Sequence, residues 1–255
     1  MLLAGAVGGA LWTSTHPGAI VGGAASLDAW RDVLSDPRFL EALRFTSVLA
    51  ALTTALALPL ALIGAVAVRS SRLGLLAMSL PIPVPHLVVA AVAVVVLGPG
   101  GLADRVAGEL APDLVGDPNG LGIVFVYLYK EVPFLVLVVL AGWTSDSDEL
   151  LEAAEVAGAG RWRRTVDVLL PRITPGLAVA AAVVAAFVVG AAEIPLLVGP
   201  SGKPTVATYA IDVVRLDGPA ARPAATVALL AATAAAAAAA GTAALAVTAT
   251  GRWAR

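Results

Sequence analysis

Residues 45–68, 73–98 and 224–251 contain no Asp, Glu, Lys or Arg at all. A helix rises about 1.5 Å per residue, so roughly 20 apolar residues cross a hydrocarbon core of about 30 Å. Each of these runs is long enough to do so. Residues 121–142 are equally apolar apart from Lys130 and Glu131, and residues 176–199 apart from Glu193. These five stretches constrain the chain more than anything else in it, because a bilayer admits only structures that satisfy every backbone group internally. The composition agrees: 59% of residues are hydrophobic and 13% charged, about half the charge of an ordinary soluble domain. The reading is an all-α membrane protein, a single transmembrane domain over residues 1–255 built as a polytopic bundle of five to six transmembrane helices. The sixth span, near residues 1–13, reaches only part of the way across and is read as incomplete. A signal peptide is the alternative there, although the segment lacks a basic n-region.

Orientation follows from the distribution of basic residues among the loops. Residues 69–72, 143–175 and 252–255 carry eight Arg in 41 positions, whereas 13–44, 99–120 and 200–223 carry seven Arg or Lys in 78. The denser set is expected to be cytoplasmic, which places residues 27–38 outside. Glu109 and nine further acids give that outer side a negative cast.

The long basic-side loop, residues 143–175, reads as two short helices around a turn. Asp146 and Glu149 have capping-box spacing, so the first helix is expected to start at Asp146. Leu150, Ala153, Ala154 and Ala157 then recur at helical spacing, opposite Glu152 and Glu155. Gly158 and Gly160 break that helix. The second carries Trp162, Val166 and Leu169 on one side until Pro171 and Pro175 interrupt it. Arg161, Arg163 and Arg164 crowd its start, where cations oppose the helix dipole, so something other than local helix stability keeps them there.

This loop also carries a resemblance. Glu152, Ala153 and Ala154, then Gly158 four positions on, then Val168 to Leu170 and Pro171 nine residues further, resemble the EAA signature of the permease subunits of binding-protein-dependent ABC importers. The family pattern is EAA-x3-G-x9-I-x-LP, and Val168 for Ile is the one departure. The similarity extends from about residue 27 to 251. It implies the type I ABC importer permease fold, in the plasma (inner) membrane of a prokaryote, with a cytoplasmic helix-turn-helix coupling loop. Glu152, Ala153, Ala154, Gly158, Leu170 and Pro171 would then be the ATPase-coupling residues. The partners implied are two ATPase subunits, a second permease subunit, an external solute-binding protein and membrane lipid. Residues 127–134 and 190–199 look more like the polyamine, thiamine, ferric-ion and sulfate branch of these permeases than the sugar branch, which is kept as the alternative.

The chain itself is not read as an enzyme or as binding ATP through a phosphate loop. A phosphate-binding loop requires Gly-x4-Gly-Lys-Ser/Thr, and neither Lys130 nor Lys203 lies in one. ATP and Mg would therefore bind a partner. With no cysteine and two isolated histidines no metal site is expected, no catalytic constellation is evident, and a net charge of −2 gives no footprint for nucleic acid.

Lys130 and Glu131 lie near the middle of their span, where ionisable groups are expensive. Pairing between helices and lining a translocation path both fit them, and Lys130 is also placed to help satisfy the Tyr129 carbonyl freed by Pro133. Glu193 fits a snorkelling residue or an acid at the outer mouth of a path. His86 follows Pro81, Pro83 and Pro85, which favour extended backbone, and fits a packing or capping role as well as a solute contact. Two other functions remain open: a gradient-driven secondary transporter using Lys130, Glu131 and Glu193 as coupling charges, and a membrane scaffold. Small residues at 234–240 are expected to pack that span against other helices.

Overall fold

The computed structural model describes residues 2–16, 24–108 and 112–252. Glu109 and Arg255, counted above among the loop charges, lie outside the described residues. Among the described residues all regular structure is helical. The helices are α1 (Leu2–Thr15), α2 (Asp28–Ser35), α3 (Pro37–Val68), α4 (Arg72–Ser79), α5 (His86–Leu97), α6 (Leu102–Ala107), α7 (Leu121–Gly142), α8 (Ser145–Val156), α9 (Arg161–Arg163), α10 (Leu170–Gly190), α11 (Glu193–Val198), α12 (Val206–Asp217) and α13 (Arg222–Arg252). Five helical stretches are long and apolar enough to cross a membrane: Pro37–Val68, His86–Ala107, Leu121–Gly142, Arg161–Gly190 and Pro219–Gly241.

The expected span at 121–142 is reproduced, and the others shift for physical reasons. α3 begins at Pro37 rather than 45, because Asp36 accepts the Arg38 N–H at 2.9 Å and Pro37 suits a first helical position. α1 has 14 residues, about 21 Å, and stays shorter than the hydrocarbon core. The expected span 73–98 is two helices, α4 and α5, separated by the prolines at 81, 83 and 85. The expected span 176–199 also divides: α10 stops at Gly190, Ala191 is extended, and α11 restarts at Glu193. In the other direction α9, a π-helical turn at Arg164–Leu169 and α10 run as one helical stretch from Arg161. Pro171 and Pro175 therefore do not end it, since the wider turn just before Pro171 lets helical backbone continue past a residue with no N–H.

The core is centred on α3, α7 and α10. Ala57, Ala61 and Ala65 form a fully buried stripe of small residues on α3. At neighbouring Gly64 an added Cβ would lie 2.9 Å from Val136 Cγ2 of α7. Without a hydrophobic drive between helices in lipid, such close backbone approach is what holds them. α13 packs against α12, α1, α10 and α2. Residues 234–240 are mostly exposed, and among the α13 residues up to Gly241 the buried ones, Pro223, Ala225, Val227, Ala228 and Ala232, lie nearer its start.

Candidate functional site

The loop joining α7 to α10 is built from two helix ends. Trp143 closes α7 and Thr144, in extended conformation, is the N-cap of α8. The expected cap at Asp146 is not formed: Asp146 lies in the first turn, and the Thr144 carbonyl accepts the Ser147 N–H at 3.0 Å. At the other end the Gly158 N–H donates to Glu155 O and the Ala159 N–H to Ala154 O, both at 2.9 Å, which is a Schellman closure. It requires the left-handed conformation that Gly158 adopts, φ +83°.

The face that α8 turns inward differs from the one expected. Ser147, Leu151 and Ala154 point into the protein, and Leu150, Ala153, Val156 and Ala157 point out. Leu151 was the better anchor because it lies one turn from Ser147 and Ala154 on the side facing the π turn, against which α8 packs. Glu152 and Gly158 are exposed as well, Leu170 is half-buried and Pro171 exposed. Val156 at 90% and Trp162 at 79% exposure leave an uncovered apolar surface beside Glu152.

Several residues that sequence reasoning missed hold this loop in place. Asp148 accepts the Trp143 indole N–H on Oδ1 at 2.9 Å and pairs with Arg69 through Oδ2, while the Arg69 guanidinium lies 4.2 Å from the Trp143 ring centroid. Arg164 pairs with Glu155, which explains one of the three cations crowded at the start of the second helix. The signal for the first cluster was Arg69 at the end of an apolar span, but nothing in the spacing connects positions 69 and 148.

Within the bundle, Lys130 is 4% exposed and its Nζ donates to the carbonyls of Pro81 at 2.6 Å, Ile82 at 3.2 Å and Val84 at 2.6 Å. It thus serves the break between α4 and α5. The Tyr129 carbonyl of its own helix is not its partner, since its long stem reaches across to the neighbouring segment. Glu131 accepts from His86 Nε2 at 3.2 Å, which fixes the start of α5 against α7. The His86 ring lies 4.5 Å from that of Phe187, which Tyr127 meets edge-on at 6.3 Å. Phe187, Leu87, Gly190 and exposed Glu193 line an open cavity of about 640 Å³ at the α10–α11 break. The structure therefore gathers His86 and Glu131 with the aromatic wall of the cavity, puts Glu193 on its rim, and removes Lys130 to a backbone-capping position.

At the start of α3, Tyr209 of α12 donates to Asp36 Oδ2 at 2.7 Å, and Thr46 accepts the Val206 N–H at 2.9 Å. Burial alone would raise the Asp36 pKa, but the hydrogen bonds from Tyr209 and the Arg38 N–H and the Arg38 charge outweigh it and hold the carboxyl below its ordinary value. The Tyr209 phenol is pushed up to about 12, by burial first and then by Asp36.

Five helical stretches long and apolar enough to cross a membrane define a multi-pass membrane protein. Residues 57–250 match the family described as binding-protein-dependent transport system inner membrane component, and the chain belongs to that family. It is a multi-pass protein of the inner membrane. Over 84 residues it is 42% identical to the trehalose transport system permease protein SugA of Mycobacterium tuberculosis, covering 32% of this chain and 27% of that protein. Over 195 residues it is 27% identical to the inner membrane ABC transporter permease protein YnjC of Escherichia coli, covering 74% of this chain and 37% of that one. The chain thus matches little more than a third of the length of these curated relatives at most. In fold it resembles a chain of a bacterial ABC transporter that imports the acidic polysaccharide alginate, with a TM-score of 0.70 and 21% identity over 90% of this chain and 85% of that one. A second structure of a bacterial alginate ABC transporter, in complex with an alginate-bound periplasmic protein, gives a TM-score of 0.72, also at 21% identity, over 92% and 85%. The match is to the type I importer permease fold.

Proposed function

We propose that the chain is the membrane-spanning subunit of an ATP-driven solute importer, forming half of a translocation pathway and taking its energy from a separate ATPase. The observation that carries this reading is α8: a short helix outside the spans, closed by Gly158, that presents Leu150, Ala153, Val156 and Glu152 to a partner in a chain with no phosphate-binding loop. A gradient-driven transporter coupled through Lys130 fits less well, because its ammonium is fully engaged by three carbonyls. The partners are two ATPase subunits, which bind ATP and Mg, a second permease subunit and an external solute-binding protein. The pathway face is assigned to Glu193 on the cavity, with His86 and Glu131 behind its Phe187 wall and Lys130 supporting the α4–α5 break.

The relatives favour a sugar as solute. The names of the trehalose permease and of the alginate importers outweigh the polyamine, thiamine, ferric-ion or sulfate branch suggested by residues 127–134 and 190–199. Phe187 beside Glu193 suits such a solute, because an aromatic face and a carboxylate match the apolar and hydroxyl faces of a sugar ring.

Gly158→Leu and Glu152→Lys test the reading. The first places a branched side chain at φ +83°, at a cost of about 1 kcal/mol or more, and props the partner away. The second reverses a charge at the docking face. Both variants are expected to insert normally and to lose bound ATPase or uptake-linked hydrolysis. If both assemble and transport at the wild-type rate, α8 is not the coupling element. Cysteines placed one at a time in this cysteine-free chain report its orientation: an impermeant thiol reagent on intact cells should reach position 30 and not position 160.

A further inference from the structure

Both junctions of α8 are breaks in helical backbone. On one side Trp143 and Thr144 leave helical geometry, and on the other Gly158 is left-handed and Gly160 extended. Two such joints would let a helix of 12 residues rock on the bundle. Each joint is bridged by a charged contact. Across the first, the Asp148 carboxylate receives Trp143 from the end of α7 and Arg69 from the C-cap of α3, so three helix ends meet at one group with both of its oxygens used. Arg69 is fixed a second time by stacking over Trp143. Across the second, Glu155 in the last turn of α8 pairs with Arg164 of the π turn, whose side chain is 18% exposed. Arg164 opposes the dipole of the helix it begins, so the contact with Glu155 gives that position a purpose local stability does not.

We propose that these two clasps make α8 move as one body with α3 and α7 at its first end and with α10 at its last, and that Arg69, Trp143, Asp148, Glu155 and Arg164 are positioning residues for energy coupling. The inference rests on reading α8 as the ATPase contact. Displacement of α8 by the partner then reaches the cavity through the continuous helical stretch that holds the second clasp at Arg164 and ends, as α10, at Gly190 on the cavity wall. One clasp alone would pass a push along one line and leave rotation about that anchor free.

The test needs no knowledge of the solute. In the assembled importer, a single cysteine at Leu197, on the cavity, is labelled with an impermeant maleimide with and without ATP, Mg and vanadate. The expected wild-type result is a nucleotide-dependent labelling rate. Arg69→Gln, and separately Glu155→Gln, should keep ATPase subunits bound and hydrolysing while the nucleotide effect on labelling falls about tenfold, equivalent to about 1.4 kcal/mol of coupling. Glu155→Gln is the safeguard should Arg69→Gln lower yield by uncovering Trp143, because its side chain is 63% exposed. The reversed pair Glu155→Arg with Arg164→Glu should restore the effect, which a merely structural defect would not do. Variants that keep the nucleotide effect within about twofold of wild type, or a loss the reversed pair leaves unrepaired, overturn the proposal. If the wild-type chain holds no ATPase, the coupling reading itself falls before any clasp is altered.

Discussion

Proline has opposite consequences in two neighbouring segments of this bundle. α7 contains Pro133 and continues as one helix of 22 residues, while the stretch from Arg72 to Leu97 opens between Ser79 and His86. One lost N–H leaves one carbonyl short of a donor, which packing against α3 and α10 tolerates. Three prolines in five residues remove alternate donors, and what remains is two long turn bonds, Ile82 to Ser79 at 3.2 Å and Val84 to Pro81 at 3.3 Å. Such backbone persists at membrane depth only where protein covers it. Here the cover is a charge from the intact helix: Lys130, three residues before Pro133, supplies the donors that the broken segment lacks. The continuity of α7 and the break beside it are therefore one arrangement.

Lys130→Met should have the largest effect and would break that relation. It keeps an apolar stem of similar length and removes three hydrogen bonds, leaving the carbonyls of Ile82 and Val84 without their donor and that of Pro81 with only the Val84 N–H at 3.3 Å. An unsatisfied buried polar group costs about 1–3 kcal/mol, so a loss of about 3 kcal/mol or more is expected. Thermal unfolding of the purified chain in detergent measures it, with Lys130→Arg retaining part of the stability. A Lys130→Met chain as stable as wild type would mean that the break does not depend on α7.

The spans were legible in the sequence to the extent that lack of charge marks them. Residues 121–142 came out to the residue because both ends carry a clear stop, and the EAA-type loop was recognisable because its spacing is rigid. The misplacements share a cause. Reading Pro171 and Pro175 as terminators ignored the π turn that carries the helix past them, and reading Leu150 and Ala153 as the inward face ignored which neighbour α8 would meet. The partners of Lys130, Asp148 and Glu155 depend on contacts between positions 48, 79 and 9 residues apart, and hydrophobic periodicity carries no information on these.

A hydrogen-bonded carboxylate outside the hydrocarbon core gives the intermediate case. Asp36 caps α3 and accepts from Tyr209, but water is at hand when its partners are removed. Asp36→Ala should therefore cost about 1–2 kcal/mol, below the Lys130 effect. The pH dependence has a definite sign. The folded pKa of Asp36 lies below its ordinary 3.8, so its contribution is present above that value and is lost as pH falls through the lowered one. The neutral Tyr209 phenol is favoured by folding, so its contribution is complete below its ordinary 10 and is lost as pH rises toward about 12. The contribution of this contact should be flat between these limits. Asp36→Asn should abolish the acid limb attributable to this contact, and an unchanged limb would assign it elsewhere.

The smallest effect is expected at Pro133. Pro133→Ala returns an N–H that can donate to the Tyr129 carbonyl, a gain of about 0.5–1.5 kcal/mol for one hydrogen bond. Against it stands the loss of the buried proline ring from the core, where lipid-exposed and protein-buried states of an apolar group differ little and only packing is forfeited. The two nearly cancel, so the variant should be more stable than wild type by less than about 1 kcal/mol. A loss of about 2 kcal/mol or more would carry a different message. It would mean that Pro133 sets the position of Glu131 against His86, and that α7 tolerates its proline because the contact to α5 requires the backbone geometry it imposes. Comparing Pro133→Ala in wild type with Pro133→Ala in a Glu131→Gln background separates the two, since the penalty should persist in the second only if it arises from packing.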